Sequence, residues 1–520
     1  MELQLKYPIG QQSFEQLRKE GCVYIDKTMF IRKLIDTAKY SFLGRPRRFG
    51  KSLFLSTLKC FFEGKRRLFH GLYADSMEWD WEQYPVFHLD LNTQRYREQG
   101  KLDIVFESFL SEIENKYDIK SPSKDFSARF AYLIKNVAEK TGKNVVILVD
   151  EYDKPLVNNI HNSEQFEYYR DLLASIYSNF KSSADYIEMV FLTGVSRFGK
   201  LSVFSDLNNF QDLSFDEEFA SICGITEKEL SDALLPGIKQ LGQRRNLSTE
   251  EAFAQLKIWY DGYHFSEDAP DIYNPYSVLN ALSKRRFGNY WIETGTPRLL
   301  VEQLKRTNGD LEQLVNSRAT ETTLQGLDID NLDPLPLFYQ TGYLTIKSYD
   351  ERLKLYQLGI PNSEVRDGFF DYILPYYVKL RGGSRAFVAD ILALIEEGNI
   401  DGFMKNLTAF FAGISYEMKL NDETNVQNAL FMLFRLLGLF TEVEYRTSDG
   451  RIDILIRTSC YIYIIELKYD LSAEEALAQI LRKDYHLPWS ADSRTVYGIG
   501  INYSSSKRRL DDWKASRLSN

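Results

Sequence analysis

Ser41-Phe42-Leu43-Gly44-Arg45-Pro46-Arg47-Arg48-Phe49-Gly50-Lys51-Ser52 is the stretch that decides the fold of this chain. A short apolar run ends in a loop that closes on Gly-Lys-Ser. A helical spacing of Leu53, Phe54, Leu55, Leu58, Phe61 and Phe62 follows. Strand, loop and helix in that order form the setting of a phosphate-binding loop, whose amides and helix N-terminus face the phosphates. Lys51 then reaches the β- and γ-phosphates, and the Ser52 hydroxyl coordinates Mg2+. The pattern GxxxxGK[ST] puts its first glycine where Arg45 stands; Gly44 lies one residue early. Arg47 and Arg48, inside the loop, either touch phosphate or project into solvent as a basic surface.

The bulk numbers bound the rest. A chain of 520 residues is long enough for two to four domains with ample buried core. A hydrophobic content of 44% with 14% aromatics excludes a disordered protein. The net charge of −9 argues against a surface that grips nucleic acid everywhere, while leaving room for a local basic site. Cys22, Cys60, Cys223 and Cys460 are far apart and lack metal-ligand spacing, so they read as thiols of a reducing compartment. The histidines are scattered too. The N-terminal MELQLKYPIG lacks a signal pattern, and no uncharged apolar run reaches bilayer length. The expectation is a soluble, cytoplasmic protein with no membrane partner.

From Tyr7 to about Ile222, strand-like runs (Cys22–Ile25, Tyr40–Leu43, Val86–Leu91, Val145–Val149, Ile187–Thr193) alternate with helical patterns at Ile104–Tyr117, Phe126–Thr141 and Gln165–Phe180. That alternation predicts an α/β fold with a mainly parallel sheet. Thr226-Glu-Lys-Glu229 reads as a capping box opening a helical region, broken at Asp261–Phe265 and Asn274-Pro275. A hairpin is expected from Tyr343–Ile346 and Leu353–Leu358 across Tyr349–Arg352. The last unit, from about 390, begins with helices and then alternates strands with a helix from Ser472. The expected division is 1–222, 223–385 and 386–520.

Val145–Val149 is an apolar run that leads straight into Asp150 and Glu151. A buried strand must end somewhere, and acids at its mouth are common. Downstream of a phosphate loop, however, the pair suits phosphoryl transfer: Asp150 holds Mg2+, and Glu151 orients and activates the attacking water. The Val86–Leu91 strand lies between the two motifs in sequence, as in ATPases that insert an extra strand. Asp153 and Lys154 fit a helix-start salt bridge equally well. At the next strand end, Thr193 or Ser196 is placed to sense a γ-phosphate and Arg197 to neutralise charge; ordinary strand termination explains them as well.

The strings RPRRFGKS, LVDEYDKP, LTGVSRFGKLSVFS, WYDGYHF, YNPYSVL, ETGTP, YQTGYLTI and LGIPNSEVR follow one another in order. In this the chain resembles the bacterial AAA-ATPase-like family of the DEYDKP type, whose C-terminal part is similar to a PD-(D/E)XK nuclease. The resemblance covers nearly the whole chain and implies ATP and Mg2+ as ligands. It implies a winged-helix-like middle region and a nucleotide site made by Arg45, Pro46, Arg47, Arg48, Phe49, Gly50, Lys51, Ser52 and Thr193. It also makes arginine at the first glycine position a family variant. Gly295-Thr296-Pro297 resembles a turn that contacts nucleotide in related ATPases, although a proline early in a helix explains it too.

The tail carries a second pattern of its own. Arg451–Ile456 reads as a strand bearing Asp453, and Tyr461–Ile465 leads into Glu466-Leu467-Lys468. Alternate strand residues share a face, so Glu466 and Lys468 point the same way. With Asp453 on the adjacent strand, two carboxylates and an amine meet, enough to hold Mg2+ and act on a phosphodiester. A strand ending in Glu-x-Lys is also an ordinary solvated sheet edge. The resemblance adds Glu423 as a further metal acid and Gln479 as the helix glutamine beside Asp453, Glu466 and Lys468. Lys507, Arg508 and Arg509, with Trp513, Lys514 and Arg517, either lean on a phosphate backbone or form a solvated helix end. The reading is an ATP-binding, ATP-hydrolysing module controlling a Mg2+-dependent nuclease-like domain that acts on DNA or RNA. The alternative is a nucleotide-dependent switch or scaffold with an inactive nuclease fold, binding a protein partner or a second copy of the chain.

Overall fold

Five strands, β1 (Tyr40–Gly44), β2 (Val86–Asp90), β3 (Val145–Asp150), β4 (Ile187–Gly194) and β5 (Gln211–Asp212), form a wholly parallel sheet in the order β2-β3-β4-β1-β5. β3 is buried along its whole length, which is why Val145–Val149 reads as one continuous apolar run and not as an alternation. The helix Lys51–Phe62 packs on β2, β3 and β4, and the helix Phe126–Thr141 on β3. The strand that separates β1 from β3 in space is β4; Val86–Leu91, which separates the two motifs in sequence, lies at the sheet edge beside β3. Because all five strands run the same way, Gly44, Asp90, Asp150, Gly194 and Asp212 end on one side. The register pairs Gly44 with Gly194 and Asp90 with Asp150. That is the side on which open α/β sheets bind ligands.

The computed structural model describes residues 5–197, 210–294, 298–307, 310–326, 333–380, 383–413, 423–438, 442–448, 451–507 and 509–519. The chain divides into two units, Met1–Gly295 with Asn316–Val365, and Thr296–Val315 with Arg366–Asn520. The middle of the chain is divided between the two units.

In the first unit, Thr226 and Glu229 form the expected capping box at the head of the helix Glu227–Arg245. This helix, Thr249–Tyr260 and Pro275–Lys284 enclose a core of Leu230, Leu234, Leu256, Tyr260, Val278 and Tyr290, against which Tyr7, Val23 and Ile25 pack. Cys22–Ile25 is therefore not a strand. It is extended chain whose Val23 N–H donates to Lys6 O at 2.9 Å and whose side chains close this helical core. The hairpin is present as β7 (Thr345–Asp350) and β8 (Leu355–Gly359), with β6 (Arg318–Ala319) added to β8.

In the second unit, helices Ser384–Glu396, Ile400–Ala412 and Glu423–Leu437 precede a mixed sheet in the order β13-β12-β11-β10-β9. Its strands are β9 (Glu442–Ser448), β10 (Arg451–Arg457), β11 (Tyr461–Tyr469), β12 (Thr495–Ser504) and β13 (Arg509–Ser519). β11 and β12 are parallel, joined through the helix Ala473–Arg482. Of the basic tail, Arg509, Trp513, Lys514 and Arg517 lie on the edge strand β13, not at a helix end, and Arg508 lies outside the described residues. Among the described residues, no helix is long and apolar enough to cross a membrane.

Candidate active sites

The loop after β1 is fixed from outside. Gly50 takes φ +105°, a conformation closed to L side chains, and caps the helix that begins at Lys51. The carbonyl of Arg47 accepts from Trp291 Nε1 at 2.9 Å, and that of Phe49 from Gly224 N at 2.9 Å. Phe49 itself is buried edge-on against Tyr263 and Phe265, so its ring anchors the loop and does not face a ligand. Pro46 packs on Gly342, where an added Cβ would lie 2.7 Å from the proline ring.

Arg45 accounts for the missing glycine. Its side chain is 1% exposed and turns inward. It donates to the carbonyls of Gly44 (2.9 Å), Ser214 (2.9 Å), Phe219 (3.1 Å) and Ala220 (3.4 Å), and lies 4.1 Å over the Phe265 ring. Burial lowers its pKa. The Arg45 guanidinium thus bonds to carbonyls around the loop. Lys51 faces the other way. Its Nζ donates to the carbonyls of Arg45 (2.9 Å) and Pro46 (3.2 Å) and lies 3.4 Å from Glu151 Oε1.

At the tip of β3, Asp150 Oδ1 accepts from Thr193 Oγ1 at 2.6 Å and the carboxylate also bonds Ser52. Burial raises its pKa against those two bonds. Thr193, held for a γ-phosphate sensor in sequence, is buried and positions Asp150. Glu151 takes φ +54°, unusual for a residue with a side chain, and this turns it off the strand line toward Lys51. Burial pushes its carboxyl up, but the charges of Lys51 and Arg47 outweigh that and hold it below its usual range. Asp153 and Lys154 do not form a helix-start pair. Asp153 accepts from the amides of Val195 (3.1 Å) and Ser196 (2.6 Å), tying the end of β4 to β3. Burial, and then the Glu151 charge, lift it to about 6. Gly194 leaves the space this requires, since a Cβ there would meet the Asp153 carboxylate at 2.8 Å. Arg197 pairs with Asp212 at 2.5 Å.

Lys51, Ser52 and Glu151 open onto a cavity of about 310 Å3, with Asp150 buried behind Ser52. Gly50, Lys51, Ser52, Glu151, Asn92 and Lys154 line it, with Arg47 and Arg48, the segment Pro8–Gln12, Tyr276 and Leu279. Arg48 adopts φ +67° and lies 5.1 Å over the Tyr276 ring. Four cations and one carboxylate line this cavity, so it is electropositive and suited to a polyanion. Gly295-Thr296-Pro297 lies outside the described residues.

In the tail, the register of β10 on β11 places Asp453 directly opposite Glu466. Glu466 is 1% exposed; its Oε1 accepts from Gln479 Nε2 at 2.5 Å and from Lys468 Nζ at 3.0 Å. Gln479 reaches it because Gly500, the β12 partner of Glu466, lets the helix Ala473–Arg482 sit directly on the strand. A Cβ at position 500 would lie 2.3 Å from Ala473 O. Glu423 begins the helix before β9; the side chains of Glu423 and Asp453 lie outside the described residues.

Residues 8–204 match the family described as Predicted AAA-ATPase, and residues 421–513 match the PD-(D/E)XK nuclease superfamily. The chain is also 32% identical over 516 residues to the uncharacterized protein in the vnfD 5′ region of Azotobacter chroococcum mcd 1, covering 97% of this chain and 98% of that one. The chain belongs to the AAA-ATPase-like family with a C-terminal PD-(D/E)XK nuclease-superfamily domain. Both regions fit a hard divalent cation. In the AAA-ATPase-like domain, Ser52 and Asp150 offer hydroxyl and carboxylate oxygens beside each other. In the PD-(D/E)XK domain, the Glu466 carboxylate offers an oxygen, and Asn502 Oδ1, buried with no hydrogen-bond partner, lies in register beside Lys468. A cation held at either place would supply charge neutralisation to phosphoryl oxygens.

Sequence reasoning missed Trp291, Asn92 and the segment Pro8–Gln12. Only the Pro-Ile-Gly turn at Pro8–Gly10 left a local signal. Trp291 is legible only once Glu364 is known: Glu364 Oε1, at the start of the helix Ser363–Tyr377, accepts from Trp291 N at 2.6 Å.

Proposed function

We propose that the first unit binds and hydrolyses ATP with Mg2+, and that this cycle controls a Mg2+-dependent, nuclease-like second unit acting on nucleic acid. The observation that carries the ATP reading is the convergence of Lys51, Ser52 and Glu151 around one electropositive cavity at the carboxyl ends of β1 and β3, with Asp150 bonded to Ser52 behind it. Loop amides and Lys51 hold the phosphates. Glu151, kept ionised by Lys51 and Arg47, takes a proton from the attacking water as the β–γ bridging oxygen leaves with the bond electrons. Asp150, set by Thr193 and Ser52, orients the metal side.

Control of the tail is supported by the presence of both matched domains in one chain. Cleavage is supported by Glu466, Lys468 and Gln479 in contact, with Asp453 in register. The test is a plasmid and single-strand cleavage assay with Mg2+ or Mn2+, with and without ATP, beside Asp453→Asn. Cleavage that needs Asp453 and changes with ATP is expected. ATP binding without cleavage would leave the chain a nucleotide-dependent scaffold.

A further inference from the structure

Lys154 stands outside every role given so far. Its backbone N–H closes a turn on Glu151 O at 3.0 Å, and its side chain crosses from the end of β3 to the end of β2. There its Nζ donates to Asn92 O at 2.8 Å and Asn92 Oδ1 at 2.5 Å. Asn92 is fixed in turn, its N–H donating to Asp90 Oδ1 at 2.7 Å, and Asp90 pairs in register with Asp150. The ammonium is hydrogen-bonded to neutral oxygens, with the Glu151 and Asp90 charges nearby, and it lines the cavity with Lys51, Ser52 and Glu151. Partial burial lowers its pKa while the Glu151 charge opposes that.

The strand order gives this placement meaning. Lys51 enters from the β1 side and Glu151 from the tip of β3; Lys154 and Asn92 enter from the β3–β2 flank. A terminal phosphoryl facing Glu151 has Lys51 on one flank and Lys154 on the other. We infer that Lys154 is a catalytic cation supplied by the same domain, donating a hydrogen bond to the terminal phosphoryl of a nucleoside triphosphate as it transfers to water. In that step water oxygen bonds the γ-phosphorus, the bond to the β–γ bridging oxygen breaks, and Glu151 receives the water proton. Lys154 transfers no proton; it offsets charge on the equatorial oxygens. Two cations flanking the phosphoryl let one subunit carry its own charge stabilisation, without an arginine from a neighbour.

This inference rests on the ATP reading of the same cavity, so binding and turnover are measured separately. In the full chain, Lys154→Met should melt as the wild type does and bind ATP within about twofold, because the loop amides and Lys51 supply ground-state affinity. Turnover should fall about a hundredfold, the loss typical of one transition-state donor. ADP with aluminium fluoride should weaken by a similar factor, ADP with beryllium fluoride should not, and Lys154→Arg should recover part of the loss. Wild-type turnover in Lys154→Met overturns the inference, as does equal weakening of ATP and both fluoride complexes. If the wild type binds ATP without turning it over, the aluminium fluoride comparison decides alone. If it binds no nucleotide, the ATP reading falls first, and Lys51→Ala identifies that case by changing nothing.

Discussion

Restoring a glycine at the head of the phosphate loop should damage this protein. Arg45→Gly recreates the familiar GxxxxGKS spacing, yet it removes a guanidinium bonded to the carbonyls of Ser214, Phe219 and Ala220 and stacked on Phe265. Hydrogen bonds to a charged group are worth about 1.5–3 kcal/mol each, and a desolvated cation–π contact about 2 kcal/mol. Against this, the variant recovers the several kcal/mol it costs to strip water from a buried cation. The balance, with a void left beneath the loop, is a loss of about 3 kcal/mol. At roughly 2 °C per kcal/mol for a unit of this size, the first melting transition should fall by about 6 °C. ATP affinity should fall with it, since the Arg45 and Pro46 carbonyls that hold Lys51 would no longer be fixed. Arg45→Lys, a point charge without the fork, should lie between. Scanning calorimetry and ATP titration on the three proteins check this. An unchanged melting point with tighter ATP binding in Arg45→Gly would show that Arg45 is a defect in the loop and not its brace.

Glu151→Gln should keep ATP affinity and lose about 10²–10⁴-fold in turnover, read by phosphate release. Burial pushes Glu364 up to about 8. A folded pKa above the unfolded value means the folded state holds an extra proton between the two, so stability falls as pH rises through that window and levels off above 8. The slope from this group is up to about 1.4 kcal/mol per pH unit. Glu364→Gln should lack that component between pH 6.5 and 8, and melting curves in which both proteins share one slope would refute it. In the tail, Gly500→Ala puts a Cβ 2.3 Å from Ala473 O and 2.5 Å from Leu477 N. The helix Ala473–Arg482 must then lift at a cost of about 1–3 kcal/mol, breaking the Gln479–Glu466 bond; faster amide exchange in that helix is the readout.

Much of this was legible in the sequence where a local pattern carries the physics. β1, β3 and β4 are buried runs bounded by polar ends, and Thr226-Glu-Lys-Glu229 is a cap read from four residues. The pairing of Asp453 with Glu466 follows from two strands flanking a short turn. What escaped depends on contacts across long separations. Cys22–Ile25 has the composition of a strand, but it is used to close a core made by helices after position 225. β5 is two residues long and has no pattern to find. The bracing contacts of Arg45 escaped because its partners, Ser214, Phe219, Ala220 and Phe265, are far away in sequence.

The four cations of the string Arg-Pro-Arg-Arg-Phe-Gly-Lys-Ser do four different things. Arg45 turns inward and replaces the flexibility of a glycine with bonds to fixed carbonyls. Arg47 is held through its carbonyl by Trp291 while its charge helps keep Glu151 ionised. Arg48, in a left-handed conformation, lies over Tyr276 at the wall of the cavity. Lys51 alone is paired with a carboxylate that a triphosphate would displace. Arg47, Arg48 and Lys51 all line the cavity, while the Arg45 guanidinium is buried away from it on fixed carbonyls. Bonds from Trp291 and Gly224 to the loop carbonyls hold it in place, so little binding energy need be spent on ordering it. The strained φ of Glu151 belongs to the same design: a carboxylate held off its strand, beside the lysine from which an incoming phosphate would part it.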